Sequence, residues 1–178
     1  MGFLKETIRQ LTPNSDRSDE QVRIAGAFVD ELVGLGVLEE VEPGEKMVAN
    51  GPMFCLEKPF QPGQWRILSD MRRGGQNDAI APDPTVFPKS GVILTQLYYG
   101  GFSTVIDASK FFYQFTTRPE DRKYLGFIHP RYPDRHYVYR GLPMGAGASP
   151  ALAGRYGASF LRLLRDRCPL FQGVPTTN

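Results

Sequence analysis

The sequence predicts an α+β domain, in which helices and short strands follow one another without a regular βαβ alternation. The spacing of apolar residues alternates along the chain between the pattern of a helix and that of a strand. It predicts the order helix, hairpin, helix, strands, helix. The 178 residues are 41% hydrophobic and 22% charged, a composition that supports a buried core and excludes a wholly disordered chain. We expect one compact unit over 18–178, preceded by a weakly ordered leader at 1–17, where polar residues and a proline predominate.

The first helix is predicted over about 19–33 by its start signal and its periodicity. Ser18 and Gln21 have the spacing of a capping box, in which each side chain satisfies a backbone N–H of the other residue. Gly34 and Gly36 end the pattern. The apolar positions that recur at helical spacing are Val22, Ala25, Val29, Leu32 and Val33.

A β-hairpin is predicted next, from two strand-like runs at 53–58 and 64–70. The segment between them contains two prolines and a glycine, which are typical turn residues. The last helix is predicted to begin at Ser149-Pro150, with Ser149 as its capping residue and Pro150 at its first helical position, and to run to about Arg167. Between hairpin and last helix we expect a helix at 90–99 and strands at 102–107, 123–128 and 136–140.

Isolated cysteines and histidines indicate neither a metal site nor a disulfide framework. Cys55 and Cys168 lie far apart and lack neighbours at metal-ligand spacing, so we interpret both as reduced thiols of an intracellular protein. His129 and His136 are interpreted as surface or strand histidines. We expect no membrane association, because no run of about eighteen uninterrupted apolar residues occurs.

The net charge of +2 is too small to identify a nucleic-acid partner by itself. Four arginines near the end of the chain concentrate positive charge, and on charge alone a solvated helix face explains them. They are Arg155, Arg162, Arg165 and Arg167.

Two segments contain residues suited to phosphate chemistry. Phe-Ser-Thr-Val-Ile-Asp at 102–107 is an apolar run that ends in a carboxylate. Mg²⁺ prefers oxygen ligands, so Asp107 with the carbonyl oxygen of Ala108 is the right type of ligand set, although a lone aspartate after a strand is more often a turn residue. Residues 141–150, Gly-Leu-Pro-Met-Gly-Ala-Gly-Ala-Ser-Pro, contain glycines that permit close approach of a ligand to the backbone. A dinucleotide-binding turn is excluded there, because Pro150 occupies the third glycine position.

These two segments resemble motifs A and B of reverse transcriptases, with a pattern similar to that of gypsy-type retroelement enzymes. The resemblance implies that Asp107 is catalytic and that Asp107 and Ala108 hold Mg²⁺. It implies that Phe112, five residues after the aspartate, is the aromatic steric gate that favours deoxynucleotides. The competing interpretation is that the aromatic residues at 111–115 pack a core.

The remaining site residues also follow from this resemblance. Met144 and Gly145 match the motif B positions that contact the incoming nucleotide. We expect Ser149, Pro150 and Arg155 to contact template or primer.

The predicted hairpin resembles the fingers hairpin of the same enzymes, where a lysine on one strand is followed by Trp-Arg and Asp-x-Arg on the next. Lys58 and Arg66 are the matching cations, and both are suited to triphosphate oxygens, although a solvated hairpin would also explain them. The chain departs from the family pattern just after this hairpin. The family has Leu-Asn after Asp-x-Arg, whereas this chain has Arg-Gly-Gly-Gln-Asn at 73–77, so we expect a longer exit from the hairpin.

The resemblance implies the fingers and part of the palm of a right-hand polymerase fold, with fingers over about 18–100, partial palm over about 101–167 and a tail at 168–178. We expect truncation before the Tyr-x-Asp-Asp hairpin, since no adjacent aspartate pair occurs. The intact family uses two Mg²⁺ ions, a template-primer of RNA or DNA, and a deoxynucleoside triphosphate. Here we expect at most a weak Mg²⁺ site, no activity of the chain alone, and self-association through an uncovered palm edge. The alternative is a domesticated, non-catalytic module that binds nucleic acid or a partner.

Overall fold

A computed structural model of the chain describes residues 18–42, 44–45, 47–81, 83, 89, 91, 94 and 107–167. The described part combines helices with antiparallel sheets. Its helices are α1 (Asp19–Gly34), α2 (Gln76–Ala79), a 3-10 helix (Phe111–Gln114), α3 (Pro119–Arg122) and α4 (Ser149–Arg167). Its strands are β1 (Leu38–Glu40), β2 (Met53–Glu57), β3 (Trp65–Ser69), β4 (Gly126–Ile128) and β5 (His136–Tyr139).

Helix α1 confirms the predicted capping box. The backbone N–H of Gln21 donates to the Ser18 Oγ at 3.3 Å, and the Ser18 N–H donates to the Gln21 Oε1 at 3.2 Å. The helix buries one face, formed by Ala25, Val29 and Leu32. Because these residues recur every three or four positions, the predicted periodicity places them correctly against the core.

The hairpin of β2 and β3 also agrees with the prediction. The two strands are antiparallel, with Met53 opposite Ser69 and Glu57 opposite Trp65. Beyond the end of β2, the N–H of Lys58 donates to the carbonyl oxygen of Gln64 at 2.8 Å. The prolines and glycine of 59–63 therefore form the turn that closes this hairpin.

A second sheet has the strand order β1-β5-β4, and all of its pairs are antiparallel. The predicted strand at 136–140 is confirmed as β5, but the predicted strand at 123–128 begins only at Gly126, because α3 and a turn occupy 119–125. Strand β1 was not predicted, since three residues are too few to show an alternating pattern.

The core lies between α1, the three-stranded sheet and the open end of the hairpin. Tyr137, Tyr139 and Phe127 are its largest fully buried side chains. The Tyr139 hydroxyl and the Ser69 Oγ form a buried hydrogen bond of 2.8 Å, which joins the sheet to the end of β3. This hydrogen bond helps to fix the hairpin to the rest of the domain.

Two residue interpretations need correction. His129 is completely buried after β4, where its Nδ1 accepts hydrogen bonds from the N–H groups of Arg131 and Tyr132, so it is not a surface residue. Helix α4 begins at Ser149 rather than after it, and the Ser149 hydroxyl donates to the carbonyl oxygen of Pro143 at 2.9 Å. That side chain closes the preceding loop.

Several predictions fall outside the described residues. They are the leader at 1–17, most of the helix at 90–99, the strand at 102–106 and the tail at 168–178.

In the described part of the chain, Cys55 is buried and its thiol donates to the carbonyl oxygen of Gln21 at 3.6 Å. None of the described helices is long and apolar enough to cross a membrane.

Candidate functional site

The glycine-rich loop between β5 and α4 packs directly against the end of β3. Gly145 has a φ of 117°, and a Cβ atom built on it would lie 2.2 Å from the carbonyl oxygen of Ser69. The N–H of Ser69 in turn donates to the carbonyl oxygen of Met144 at 3.3 Å. Glycine is therefore required at position 145 for two separate reasons, its backbone conformation and the absence of space for a side chain.

Asn77 holds the same loop from a second side. Its side-chain amide donates to the carbonyl oxygen of Gly145 at 3.0 Å, and its Oδ1 accepts the N–H of Gly147 at 2.8 Å. Sequence reasoning did not select Asn77 as a site residue. The signal for Asn77 in the sequence is the Arg-Gly-Gly-Gln-Asn departure at 73–77, which by itself predicts only a longer exit from the hairpin.

The third support of the loop is Ser149, a predicted template or primer contact. Its side chain is 1% exposed and engaged with Pro143, so its observed contact is internal. Pro150, its neighbour in the first turn of α4, is exposed. Of these two residues, Pro150 is the one with surface available to a ligand.

The predicted phosphate-binding cations lie together on one face of the hairpin. Arg66 pairs with Leu56, and Lys58 lies opposite Gln64, two positions further along each strand. Since side chains two residues apart project from the same face of a strand, both cations point to the same side. The Lys58 Nζ donates to the Gln64 Oε1 at 3.2 Å, and Arg66 is exposed.

Asp107 and Ala108 are exposed and precede a turn that leads into the 3-10 helix. Lys110 forms this turn with a φ of 51°, and its ammonium makes an ion pair with Glu31 of α1. No group of three or more histidine, cysteine or acidic side chains suited to a metal ion occurs among the residues that the structure describes. The predicted ligands, the Asp107 carboxylate and the Ala108 carbonyl, thus belong to exposed residues.

The segment that follows Asp107 is joined to the start of the glycine-rich loop. Thr116 and Gly141 form an antiparallel bridge, and the N–H of Leu142 donates to the carbonyl oxygen of Phe115 at 2.9 Å. A Cβ atom at Gly141 would lie 2.6 Å from the carbonyl oxygen of Tyr113. The two motif-bearing segments are thus in direct backbone contact.

The aromatic residues of this segment divide between core and surface. Tyr113 is buried and stacks on Tyr139, with ring centroids 6.2 Å apart, and burial raises the pKa of its hydroxyl to about 12. Phe112 is half-buried beside Phe111, with ring centroids 6.2 Å apart. The core interpretation therefore holds for Tyr113, while Phe112, the predicted steric gate, retains an accessible part.

Arg155, the predicted template or primer contact on α4, makes an ion pair with Asp83. Its side chain is nevertheless 61% exposed. A phosphate that approached this guanidinium would meet a cation already paired with a carboxylate. Arg66 is likewise exposed, at the hairpin.

Comparison with known proteins shows similarity to retroviral polyproteins. The chain is 28% identical over 163 residues to the Gag-Pro-Pol polyprotein of Sheep pulmonary adenomatosis virus, covering 85% of the chain and 8% of the polyprotein. It is 30% identical over 156 residues to the Gag-Pro-Pol polyprotein of Squirrel monkey retrovirus, covering 84% and 8%. It is 26% identical over 175 residues to the Pol polyprotein of Equine infectious anemia virus (strain Wyoming), covering 95% and 15%.

No family model matches the chain. The chain spans 8% to 15% of the length of these three relatives, so the similarity concerns one short region of each polyprotein. The matched region covers most of the chain in every case. The chain is therefore similar to a segment of retroviral Pol, which fits a pol region of retroviral type.

Proposed function

We propose that this chain is the fingers and the first part of the palm of a reverse transcriptase, an RNA-directed DNA polymerase. The observation that carries the proposal is the backbone contact between the two motif-bearing segments, where Thr116 bridges Gly141. The segment that begins with Asp107 and the glycine-rich loop resemble motifs A and B, and those motifs act on the same nucleotide in the family. Similarity to retroviral Pol polyproteins supports the same assignment.

The positions of the other site residues agree with this function. Lys58 and Arg66 project from one face of the hairpin, as cations that bind one triphosphate would need to. Phe112 keeps part of its ring accessible, which a steric gate beneath a deoxyribose requires. Met144 is half-buried beside Gly145 and offers the nucleotide an apolar contact.

The described residues fit a weakly held Mg²⁺ ion but not a pair of ions. Mg²⁺ is usually bound by one or two carboxylates together with substrate phosphates and water, and Asp107 with the Ala108 carbonyl could contribute to one such ion. Two-metal catalysis needs further carboxylates. The sequence contains no adjacent aspartate pair, so we propose that this chain alone does not extend a primer.

Binding of a recessed RNA template and DNA primer, labelled with a fluorophore and followed by anisotropy, tests the proposal. We expect binding that weakens steeply with added salt, because cationic contacts to phosphates release counterions. The double variant Lys58→Gln and Arg66→Gln should bind more weakly, and its dependence on salt should be shallower. The control is Arg118→Gln with Lys123→Gln, which removes the same number of positive charges from exposed residues that flank α3.

Equal loss of affinity in both double variants would contradict the assignment, because it would show that net charge alone accounts for binding. Binding that does not respond to salt would contradict the phosphate contacts. Primer extension dependent on Asp107 would show that the chain alone is catalytic, contrary to the proposal.

A second candidate function is a non-catalytic module that binds nucleic acid or a partner. The exposed apolar side chains of α4 favour it, since Tyr156, Phe160 and Leu163 are each 57% or 58% exposed. Large exposed apolar patches often mark interaction surfaces. Absence of template-primer binding, together with association through α4, would favour this candidate over the polymerase assignment.

A further inference from the structure

The side chain of Asn77 makes two hydrogen bonds to one short stretch of the glycine-rich loop. Its amide N–H donates to the Gly145 carbonyl, and its amide oxygen accepts the Gly147 N–H. The bonded atoms belong to residues about seventy positions apart in the chain, so the contact is a tertiary one. An asparagine side chain is suited to this task because it offers one donor and one acceptor in a fixed plane.

Asn77 is itself held in place by the turn that precedes it. The N–H of Asn77 donates to the carbonyl oxygen of Met71 at 3.0 Å, and the N–H of Gly74 donates to the carbonyl oxygen of Asp70 at 3.1 Å. Gly75 has a φ of 77°, a conformation that favours glycine. The turn therefore directs the side chain of Asn77 from a fixed backbone.

The neighbouring residue anchors this turn in the core. Gln76 is completely buried, and its Nε2 donates to the carbonyl oxygens of Tyr124 at 3.1 Å and Gly126 at 3.2 Å. A Cβ atom at Gly74 would lie 2.4 Å from the Gln76 Oε1 and 2.3 Å from the carbonyl oxygen of Asn50. Gly74 thus makes room for Gln76, which ties the turn to β4 while Asn77 faces the loop.

We propose that Asn77 is a positioning residue, which fixes the backbone of 145–147 in the conformation that receives nucleotide and template. The inference rests on the proposed function, because it assigns the loop a ligand. It gives a role to the residues at 73–77, which are the point where this chain departs from the family pattern. The role is indirect, since Asn77 acts through Gly145 and Gly147.

Two measurements on the 178-residue chain test the proposal, with Asn77→Ala as the main variant. The first is hydrogen exchange of the Gly147 amide, followed by NMR, which reports the hydrogen bond without any ligand. The second is the affinity for the labelled template-primer across a range of salt concentrations. In Asn77→Ala we expect the Gly147 amide to exchange about tenfold faster and the affinity for template-primer to be about tenfold weaker, because the loop loses the hydrogen bonds from Asn77. The salt dependence should be unchanged, because no cation is removed.

Asn77→Asp separates the two hydrogen bonds. A carboxylate can still accept the Gly147 N–H, but it cannot donate to the Gly145 carbonyl, so Gly147 exchange should stay slow while affinity falls. Asp78→Ala is the control, since Asp78 is exposed on the same short helix and is the neighbour of Asn77. Removing its negative charge should leave Gly147 exchange unchanged and should not weaken binding to phosphate.

The outcomes distinguish this inference from the function on which it rests. If the unaltered chain binds template-primer and Asn77→Ala binds equally well, the positioning role is wrong and the proposed function stands. If the unaltered chain does not bind at all, the proposed function fails, and the positioning role fails with it. Unchanged Gly147 exchange in Asn77→Ala would overturn the inference independently of any binding result.

Discussion

Gly145 is the residue at which backbone conformation and packing act together most strongly. We expect Gly145→Ala to lower the free energy of unfolding by about 2 to 4 kcal/mol, because strained backbone adds to a contact that must shift. The contact is a Cβ atom 2.2 Å from the Ser69 carbonyl oxygen. Gly63→Ala is the matched control, since Gly63 also has a positive φ, of 78°, but its added Cβ would meet nothing within 4 Å. Urea denaturation should give the control a loss of only about 1 kcal/mol; equal losses would show that the Ser69 contact is unimportant.

His129 should make stability depend on pH in the mildly acidic range. Burial lowers the pKa of its imidazole below 6.5, and the opposing attraction of Asp30 offsets this only in part. The unfolded chain therefore binds a proton more readily than the folded chain, so stability is complete above about pH 6.5 and falls as the pH drops through the folded-state pKa. His129→Asn keeps an acceptor for the N–H groups of Arg131 and Tyr132 but does not titrate. Denaturation at pH 7.5 and 5.5 should show a smaller loss in the variant; an identical loss would exclude His129 as the cause.

At the scale of secondary structure elements, the sequence predicts best the elements whose start or turn is specified by residues only a few positions apart. The capping box predicted the start of α1, and turn residues predicted the β2-β3 hairpin. Strand β1 and the short helices α2 and α3 escaped prediction because each has only three or four residues and forms through tertiary contacts.

The candidate site shows the same division. The turn residues predicted the antiparallel hairpin that carries Lys58 and Arg66, and its pairing then places both cations on one face. The contribution of Asn77 and Ser69 could not be predicted, because each acts through hydrogen bonds to residues about seventy positions away. A single sequence contains no signal that pairs such distant positions.

The hydrogen bond between Tyr139 and Ser69 should couple the hairpin to the three-stranded sheet. Both groups are buried, and their oxygens are 2.8 Å apart. We expect Tyr139→Phe to lower the free energy of unfolding by about 1 to 2 kcal/mol, since the Ser69 hydroxyl is left without this partner. Ser69→Ala in the same background should cost little more, because the bond is already lost. Additive losses in this double-mutant cycle would show that the two residues act independently.

At the scale of the whole molecule, the exposed apolar face of α4 is expected to drive self-association. Tyr156, Phe160 and Leu163 recur at intervals of four and three residues, so they share one face of the helix, and each is more than half exposed. Burying such a face in a second copy removes apolar surface from water, which favours dimers at high concentration.

Sedimentation equilibrium over a range of concentrations measures this association. We expect the unaltered chain to show a rising average mass, and Phe160→Glu to shift it toward the monomer, because a charge at the centre of the face would have to be buried. Ala158→Glu introduces the same charge at an exposed position on the opposite side of α4, so it should leave the association in place. A monomer at all concentrations would contradict the prediction. An equal shift toward the monomer in both variants would show that net charge, rather than the apolar face, controls the association.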